Sequence, residues 1–414
     1  MNSNHTPLGP KADKETVRRH NLSLVLRAVR DEGEATRAGV AARVGLTRAA
    51  VSSLVEQLLE SGFLSESGKT FSGQAGRPGT VLKVTRSGPA GIGVEINIDY
   101  VSVCVVDLSG TDRVRRLEHL DNRGARPEEV LARGARIAAR TLESAAEQEL
   151  YPVGVRLALP GLVSGGTVRQ APNLGWNRVP AEELFARALD ELRSDGAPLP
   201  VGSENEANLA ALAELWFGGL GPVVTFLCLT GEIGVGGALV LNGELLRGAH
   251  GFAGEIGHVL ADASGPLCRC GSRGCLEQYA GQSALLRAAG IDENAGVLGV
   301  SELARRARGG DARAVAAVEL AGTMLGRVLS GAVNLFDPDA VVLGGIYREL
   351  MPWLSPAADR ELTARVVSGL WPPGSGRLRA SSSAGDAARG AAALVVREVL
   401  ADPVAYVRQE PGAG

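Results

Sequence analysis

Gly254-Glu255-Ile256-Gly257-His258, followed after nine intervening residues by Cys268-Arg269-Cys270-Gly271-Ser272-Arg273-Gly274-Cys275-Leu276-Glu277, is the stretch on which the reading of this chain turns. His258 precedes Cys268, Cys270 and Cys275 by ten, twelve and seventeen positions. One imidazole and three thiolates form the donor set of a tetrahedral zinc ion, and Gly271 and Gly274 let the loop turn tightly enough for the sulfurs to converge. Four protein ligands leave no open coordination position. One structural Zn2+ per chain is therefore expected on His258, Cys268, Cys270 and Cys275. Three of the five cysteines crowd into this loop of a 414-residue chain, which is metal-site usage rather than the disulfide framework of short secreted domains. Cys104 and Cys228 sit in β-rich runs and read as core residues.

Outward from this loop, strands and helices alternate. Ile92–Ile98 and Tyr100–Leu108 read as a hairpin, followed by a helix over Pro127–Glu149 and a buried strand over Val153–Leu159. A helix from about Pro180, a strand near Leu199 and a helix over Ala207–Phe217 come next. Val223–Leu229 and Val235–Leu241 form a second hairpin-like unit, and Ala340–Leu343 is a strand ending in Gly344-Gly345. Two copies of hairpin, helix, strand and helix imply a two-lobed α/β body with a cleft between the lobes. A last helix, about Gly385–Leu400, is expected to pack back on one lobe.

Upstream of this body the pattern changes. Leu22, Val25, Leu26 and Val29 recur at helical spacing up to Gly33, and Thr36 caps a short helix ending at Val44-Gly45. Thr47 caps a third helix whose apolar stripe is Val51, Leu54, Val55 and Leu58. That stripe turns Arg48, Ala49, Ser52 and Ser53 outward, a surface of small and hydrogen-bonding residues that suits a major groove. Ser65–Val84 reads as a β-wing, with Arg77 on the stiff Gly76-Arg77-Pro78-Gly79 tip suited to a minor groove. The pattern predicts a winged helix-turn-helix contacting double-stranded DNA through Thr47, Arg48, Ala49, Ser52, Ser53 and Arg77. A three-helix interaction module is the plainer alternative.

Charge agrees with this division. Residues 1–85 hold 12 Lys/Arg against 8 Asp/Glu, whereas the remainder holds 31 against 38, so a mildly basic head precedes an acidic body. With 45% apolar and 21% charged residues, each unit can bury an ordinary core. The polar first residues, Met1–Lys14, lack the apolar stretch of a signal peptide, and no run of 18 apolar residues is evident. A cytoplasmic protein with no membrane partner is expected.

The metal loop, together with Leu159-Pro160-Gly161-Leu162-Val163, Ala171-Pro172-Asn173-Leu174-Gly175-Trp176, Glu204-Asn205-Glu206-Ala207-Asn208 and Arg247-Gly248-Ala249-His250-Gly251, resembles the signature of the ROK family (repressors, open reading frames, kinases). The winged helix with Gly-Arg-Pro is similar to that of the xylose/N-acetylglucosamine repressor branch. The resemblance implies an actin-like, hexokinase-type α/β fold of two ribonuclease-H-like lobes, preceded by an α+β winged helix-turn-helix. It implies a flexible tail over 1–15, the DNA-binding domain over 16–85, and a small lobe over 88–206 completed by a helix over 385–401. A large lobe over 207–384 would carry the zinc loop 258–277. It places contacts to a monosaccharide on Asn205, Glu206, Glu255, His258 and Glu277. His258 would put one ring nitrogen on zinc and the other toward the sugar, and the loop would orient Glu277. The plainer roles are helix capping for Asn205 and Glu206, and pairing within the loop for Glu255 and Glu277.

The chain departs from the family's kinases where phosphate is handled. Glu95-Ile96-Asn97-Ile98-Asp99 stands in place of Asp-x-Gly-x-Thr, and Glu232-Ile233-Gly234-Val235-Gly236-Gly237-Ala238 in place of Gly-Thr-Gly-Ile-Gly-Gly-Gly. A carboxylate and an isoleucine replace phosphate donors, and the family's catalytic aspartate is Glu206 here. The expected function is a sugar-responsive transcriptional regulator, a repressor by this reading, that binds its sugar without phosphorylating it. As a homodimer or homotetramer it would bind a palindromic operator. Two alternatives stay open: an active sugar kinase with a DNA-binding head, and a regulator controlled by a protein effector.

Overall fold

The computed structural model describes residues 13–70, 79–193, 198–382 and 386–406. The head comprises α1 (Lys14–Glu32), the two-residue β1 (Ala35–Thr36), α2 (Arg37–Val44), α3 (Arg48–Glu60), β2 (Leu64–Thr70) and β3 (Gly79–Val84). Side-chain caps start each helix: Asp13 accepts from Thr16 N, Thr36 from Gly39 N and Thr47 from Ala50 N. Strands pair in the order β1-β3-β2, so β2 and β3 form the wing. Its tip, with Arg77, lies outside the described residues.

The small lobe is a five-stranded sheet. Its strands are β4 (Gly88–Ile96), β5 (Tyr100–Asp107), β6 (Asp112–His119), β7 (Leu150–Leu159) and β11 (Val201–Asn205), with α4 (Pro127–Ala146) between β6 and β7. A separate three-stranded flap, β8 (Leu162–Ser164), β9 (Thr167–Ala171) and β10 (Trp176–Val179), and then α5 (Ala181–Leu192) lead into β11. The large lobe follows α6 (Glu206–Phe217). Its sheet holds β12 (Phe226–Gly231), β13 (Val235–Leu241), β14 (Glu244–Leu245), β15 (Ala340–Gly345) and β16 (Leu378–Ala380). Helices α7 (Glu277–Ala280), α8 (Gln282–Ala288), α9 (Gly296–Arg308), α10 (Ala312–Phe336) and α11 (Tyr347–Arg365) cover it, and α12 (Ala387–Ala401) closes the described fold.

The two sheets have one topology. In β11-β7-β4-β5-β6 and β14-β13-β12-β15-β16 alike, three consecutive strands run antiparallel and the next two add in parallel beyond the first. The duplicated lobe read from the sequence is therefore present, with four additions, one of them β14, which completes the second meander. β6 completes the first meander, β16 extends the second sheet, and the flap stands over the cleft. β6 evades a hydrophobic reading because it is an edge strand whose residues, Asp112-Arg-Val-Arg-Arg-Leu-Glu-His119, face water along most of its length.

α12 lies directly on the small-lobe sheet. A Cβ on Gly91 would meet the Ala392 carbonyl oxygen at 2.1 Å, and one on Gly93 the Ala388 oxygen at 2.0 Å. Only glycine admits this approach, and the alanines of α12 present the matching smooth face. The far side of α12 packs on the head. Leu22, Val25, Val29 and Leu58 share one core with Val106, Ala392, Val396, Val399 and Leu400. Ser23, which is buried, donates its hydroxyl to the Leu400 carbonyl at 2.7 Å, and Arg19 pairs with Asp402.

No unbroken run of 18 apolar residues occurs in α10, where Glu319 and Arg327 interrupt it, yet the helix has the length and overall composition that a membrane span requires. Among the described residues, α10 meets that requirement, with a mean hydropathy of 1.2 over its most apolar window. Most of that window is buried, with Val318, Leu325 and Leu329 in the large-lobe core and Gly322 and Gly326 close against α11. It is the central helix of a globular lobe.

Candidate functional site

The loop between β14 and α7 gathers His258, Cys268, Cys270 and Cys275, whose donor atoms all lie within 4.8 Å of one another. Cys270 Sγ is 3.6 Å from Cys275 Sγ, and Cys268 Sγ is 3.8 Å from His258 Nδ1. A disulfide needs about 2.05 Å between sulfurs. Tetrahedral bonds of about 2.3 Å place sulfurs about 3.8 Å apart, so the cluster has the dimensions to hold a metal ion. Cys104 and Cys228 are buried core residues.

Beside this cluster a cleft of about 680 Å3, open mouth included, is lined by Gly161, Asn173, Asn205, Glu206, Glu255, His258, Arg269 and Glu277 among others. All five residues expected to face a sugar are in its wall. Asn205 ends β11 and caps α6, its Oδ1 accepting from Ala207 N at 2.9 Å and Asn208 N at 3.2 Å. Its Nδ2 donates to the Gly161 oxygen at 2.9 Å, so the plainer capping role is filled and one amide hydrogen is left for a ligand. Glu277 opens α7, its Oε2 accepting from Val235 N at 3.3 Å, with Cys268 Sγ 3.9 Å from Oε1. A Cβ on Gly234 would lie 2.1 Å from Glu277 Oε2, so glycine there makes room for the carboxylate. The flap contributes Asn173, whose Oδ1 accepts from Arg269 at 3.1 Å and so ties it to the metal loop. Asn173 and Arg269 were not singled out, although both sit in motifs the resemblance had marked.

Glu206 has a second side. A cavity of about 590 Å3, open mouth included, is lined by Glu206 with Glu95, Tyr100, Thr230, Glu232, Arg348 and Asp386. Tyr100 donates to Glu95 Oε1 at 2.6 Å, and Ala388 N at the start of α12 donates to Oε2 at 3.3 Å. Burial pushes Glu95 up to about 7 despite those bonds. Burial, then the Glu95 and Glu255 charges, lifts Glu206 to about 8, and burial with the Glu206 and Glu95 charges holds Glu232 well above its ordinary value.

On the head, Thr47, Arg48, Ala49 and Ser53 are exposed and Ser52 is half-buried, while Val51, Leu54, Val55 and Leu58 are buried. Arg48 makes no hydrogen bond or ion pair among the described residues. Arg18 instead donates to Gln57, fastening α1 to α3, and Arg37 pairs with Glu66 at the wing's base.

A winged helix joined to two ribonuclease-H-like lobes, with a metal-ligand cluster at the interlobe cleft, defines a transcriptional regulator built on an actin-like, hexokinase-type fold. The ROK family model matches residues 91–398, and the chain belongs to that family. It is 28% identical over 360 residues to a xylose repressor of Bacillus subtilis, covering 87% of this chain and 90% of that one. The crystal structure of a ROK family transcriptional regulator, a homolog of the E. coli MLC protein, superposes with a TM-score of 0.74 at 24% identity, over 93% of this chain and 97% of that one. A ROK family glucokinase from Streptomyces griseus, in complex with glucose and AMPPNP, matches 74% of this chain and 98% of its own with a TM-score of 0.61 at 28% identity. The regulator covers the head as well as the body, whereas the kinase's share fits the body alone.

Proposed function

We propose that this protein is a sugar-responsive DNA-binding repressor of carbohydrate-metabolism genes whose kinase-like body senses a monosaccharide without phosphorylating it. The observation that carries the sensing half is the contrast on either side of Glu206. One wall offers an ordered mixture of donors and acceptors, and the other offers three crowded carboxyls. Phosphates are held by backbone N–H groups and cations, and each pair of unit like charges about 4 Å apart repels by roughly 4 kcal/mol at an effective dielectric of 20. Glu95 and Glu232 place carboxyls, repulsive to phosphate when ionised, where a triphosphate needs N–H donors and cations, while Asn205, Glu206, Glu255, His258 and Glu277 suit vicinal hydroxyls.

Zinc is the ion we assign to His258, Cys268, Cys270 and Cys275, as a structural ion that fixes His258 and Glu277 at the sugar. Residues 16–85 would bind DNA through Thr47, Arg48, Ala49, Ser52, Ser53 and Arg77. The small lobe, 88–206 with the helix of 385–401, and the large lobe, 207–384, would close on the sugar. A cytoplasmic homodimer or homotetramer would present paired heads to a palindromic operator. The relative's name makes D-xylose the first sugar to try.

Calorimetry of the zinc-loaded full chain against a monosaccharide panel and against Mg2+-AMPPNP tests this. Heat with one sugar and none with the nucleotide is expected. Nucleotide binding, or sugar-dependent ADP release abolished by Glu206→Gln, would make the chain a kinase with a DNA-binding head. Neither ligand binding would favour a protein effector.

A further inference from the structure

We propose that the cavity on the far side of Glu206 is a second ligand site, shaped for an organic ammonium ion; this rests on the reading that the body no longer holds a nucleotide. Both lobes contribute to it. Glu95 comes from β4, Glu206 from the start of α6, Thr230 from β12, Glu232 from the turn before β13, and Arg348 from α11. Two acceptor atoms in this wall have no partner among the described residues: Glu206 Oε2, and Oγ1 of Thr230, a residue only 8% exposed. The Glu232 carboxyl accepts no hydrogen bond among the described residues, whereas Asp386 is already engaged by Arg115 and by Arg389 N. The lining is thus rich in carboxyls, Glu95, Glu206, Glu232 and Asp386, against one cationic side chain, Arg348.

An ammonium group is the complement of such a wall, having three N–H donors, a positive charge and no acceptor. A compact metal ion is not. Among the described residues, the only His, Cys, Asp or Glu side chains that converge closely enough to share an ion are the four of the metal loop. The carboxyls around this cavity raise one another, yet no three of them converge on one point among the described residues, which suits a ligand whose donors are set apart, such as a diamine. A bound cation would also relieve the crowding that holds Glu95 at about 7 and Glu206 at about 8, because each could then ionise beside a positive charge. Arg348, which also lines the cavity, is exposed and forms no ion pair with these carboxyls among the described residues.

The probe is 1,4-diaminobutane, titrated by calorimetry into the full-length zinc-loaded protein at about pH 8.5, where the amine is charged and the pH lies above the values of Glu95 and Glu206. Its neutral isostere 1,4-butanediol is the control. We expect the diamine to bind and the diol not to bind. Glu232→Gln should weaken the diamine about tenfold or more, and Thr230→Val severalfold. Both variants should keep the wild-type heat with the sugar, which shows that the fold is intact. No heat with diamine on the order of 10 mM, equal affinity in Glu232→Gln, or binding of the diol as well would overturn the proposal. Mg2+-AMPPNP separates the two possible failures. If it binds in competition with the diamine, the lost-nucleotide reading falls and the ammonium site with it. If neither binds, that reading stands and only the ammonium site falls.

Discussion

Two cavities of similar size, about 680 and 590 Å3, share Glu206 as a common wall and differ in how their polar atoms are held. On the side proposed for the sugar Asn205 is pinned at both ends of its amide, Glu277 rests on Val235 N, and Asn173 is tied to Arg269. On the other side Glu206 Oε2 and Thr230 Oγ1 are unpaired and three carboxyls press on one another. Volume alone would rank the two as equals. The hydrogen-bond network separates them, because a site recognises a ligand in proportion to how firmly its own groups are placed beforehand.

The sharpest way to break the comparison is to loosen the ordered side. Cys270→Ser should lose the metal, measured by elemental analysis, and weaken sugar binding about 10- to 100-fold, since His258 and Glu277 take their positions from that loop. Retained metal or unchanged sugar affinity would show that the order has another source. Gly234→Ala drives a methyl into the space of Glu277 Oε2, and a loss of about tenfold in sugar affinity with the metal retained is expected by calorimetry. Arg48→Ala touches neither cavity. It should weaken DNA binding about tenfold in a mobility-shift titration and leave the sugar heat unaltered, and wild-type DNA affinity would put the reading surface elsewhere.

Glu206→Gln probes the crowded side through stability. The folded protein holds the Glu206 proton up to about pH 8, whereas the unfolded chain releases it near 4.5. The contribution of this carboxyl is whole below about pH 4.5 and is lost as pH rises to 8. Glutamine does not titrate, so the melting temperature of the variant should gain on the wild type by a few degrees between about pH 5 and 8, at roughly 2–4 °C per kcal/mol. A difference independent of pH would mean that Glu206 is not crowded.

Local chemistry was legible in the sequence and long-range assembly was not. The convergence of His258, Cys268, Cys270 and Cys275 could be read because the four fall within eighteen residues and the glycines between them announce the turn. The head's helices could be read because Thr36, Thr47, Gly33 and Gly45 mark their ends. β6 could not, because an exposed edge strand has no apolar alternation to detect. The flap strands are three to five residues long, too short to carry a period. The second cavity brings Glu95, Thr230 and Arg348 together from points more than a hundred residues apart, and only the closed fold makes them neighbours.

The core shared by the first helix and the last sets an order of events during synthesis. The ribosome delivers α1 at the outset, yet the partners of its outer face, Val396, Val399 and Leu400, emerge some 370 residues later. Until then that face, with the Ser23 hydroxyl meant for Leu400, has nothing to cover it. A prematurely terminated chain would carry a winged helix with a bare apolar flank, a natural mark for proteolysis. The outer face of the head is thus finished by residues that lie far from it in the chain, so its stability is tied to the folding of the body.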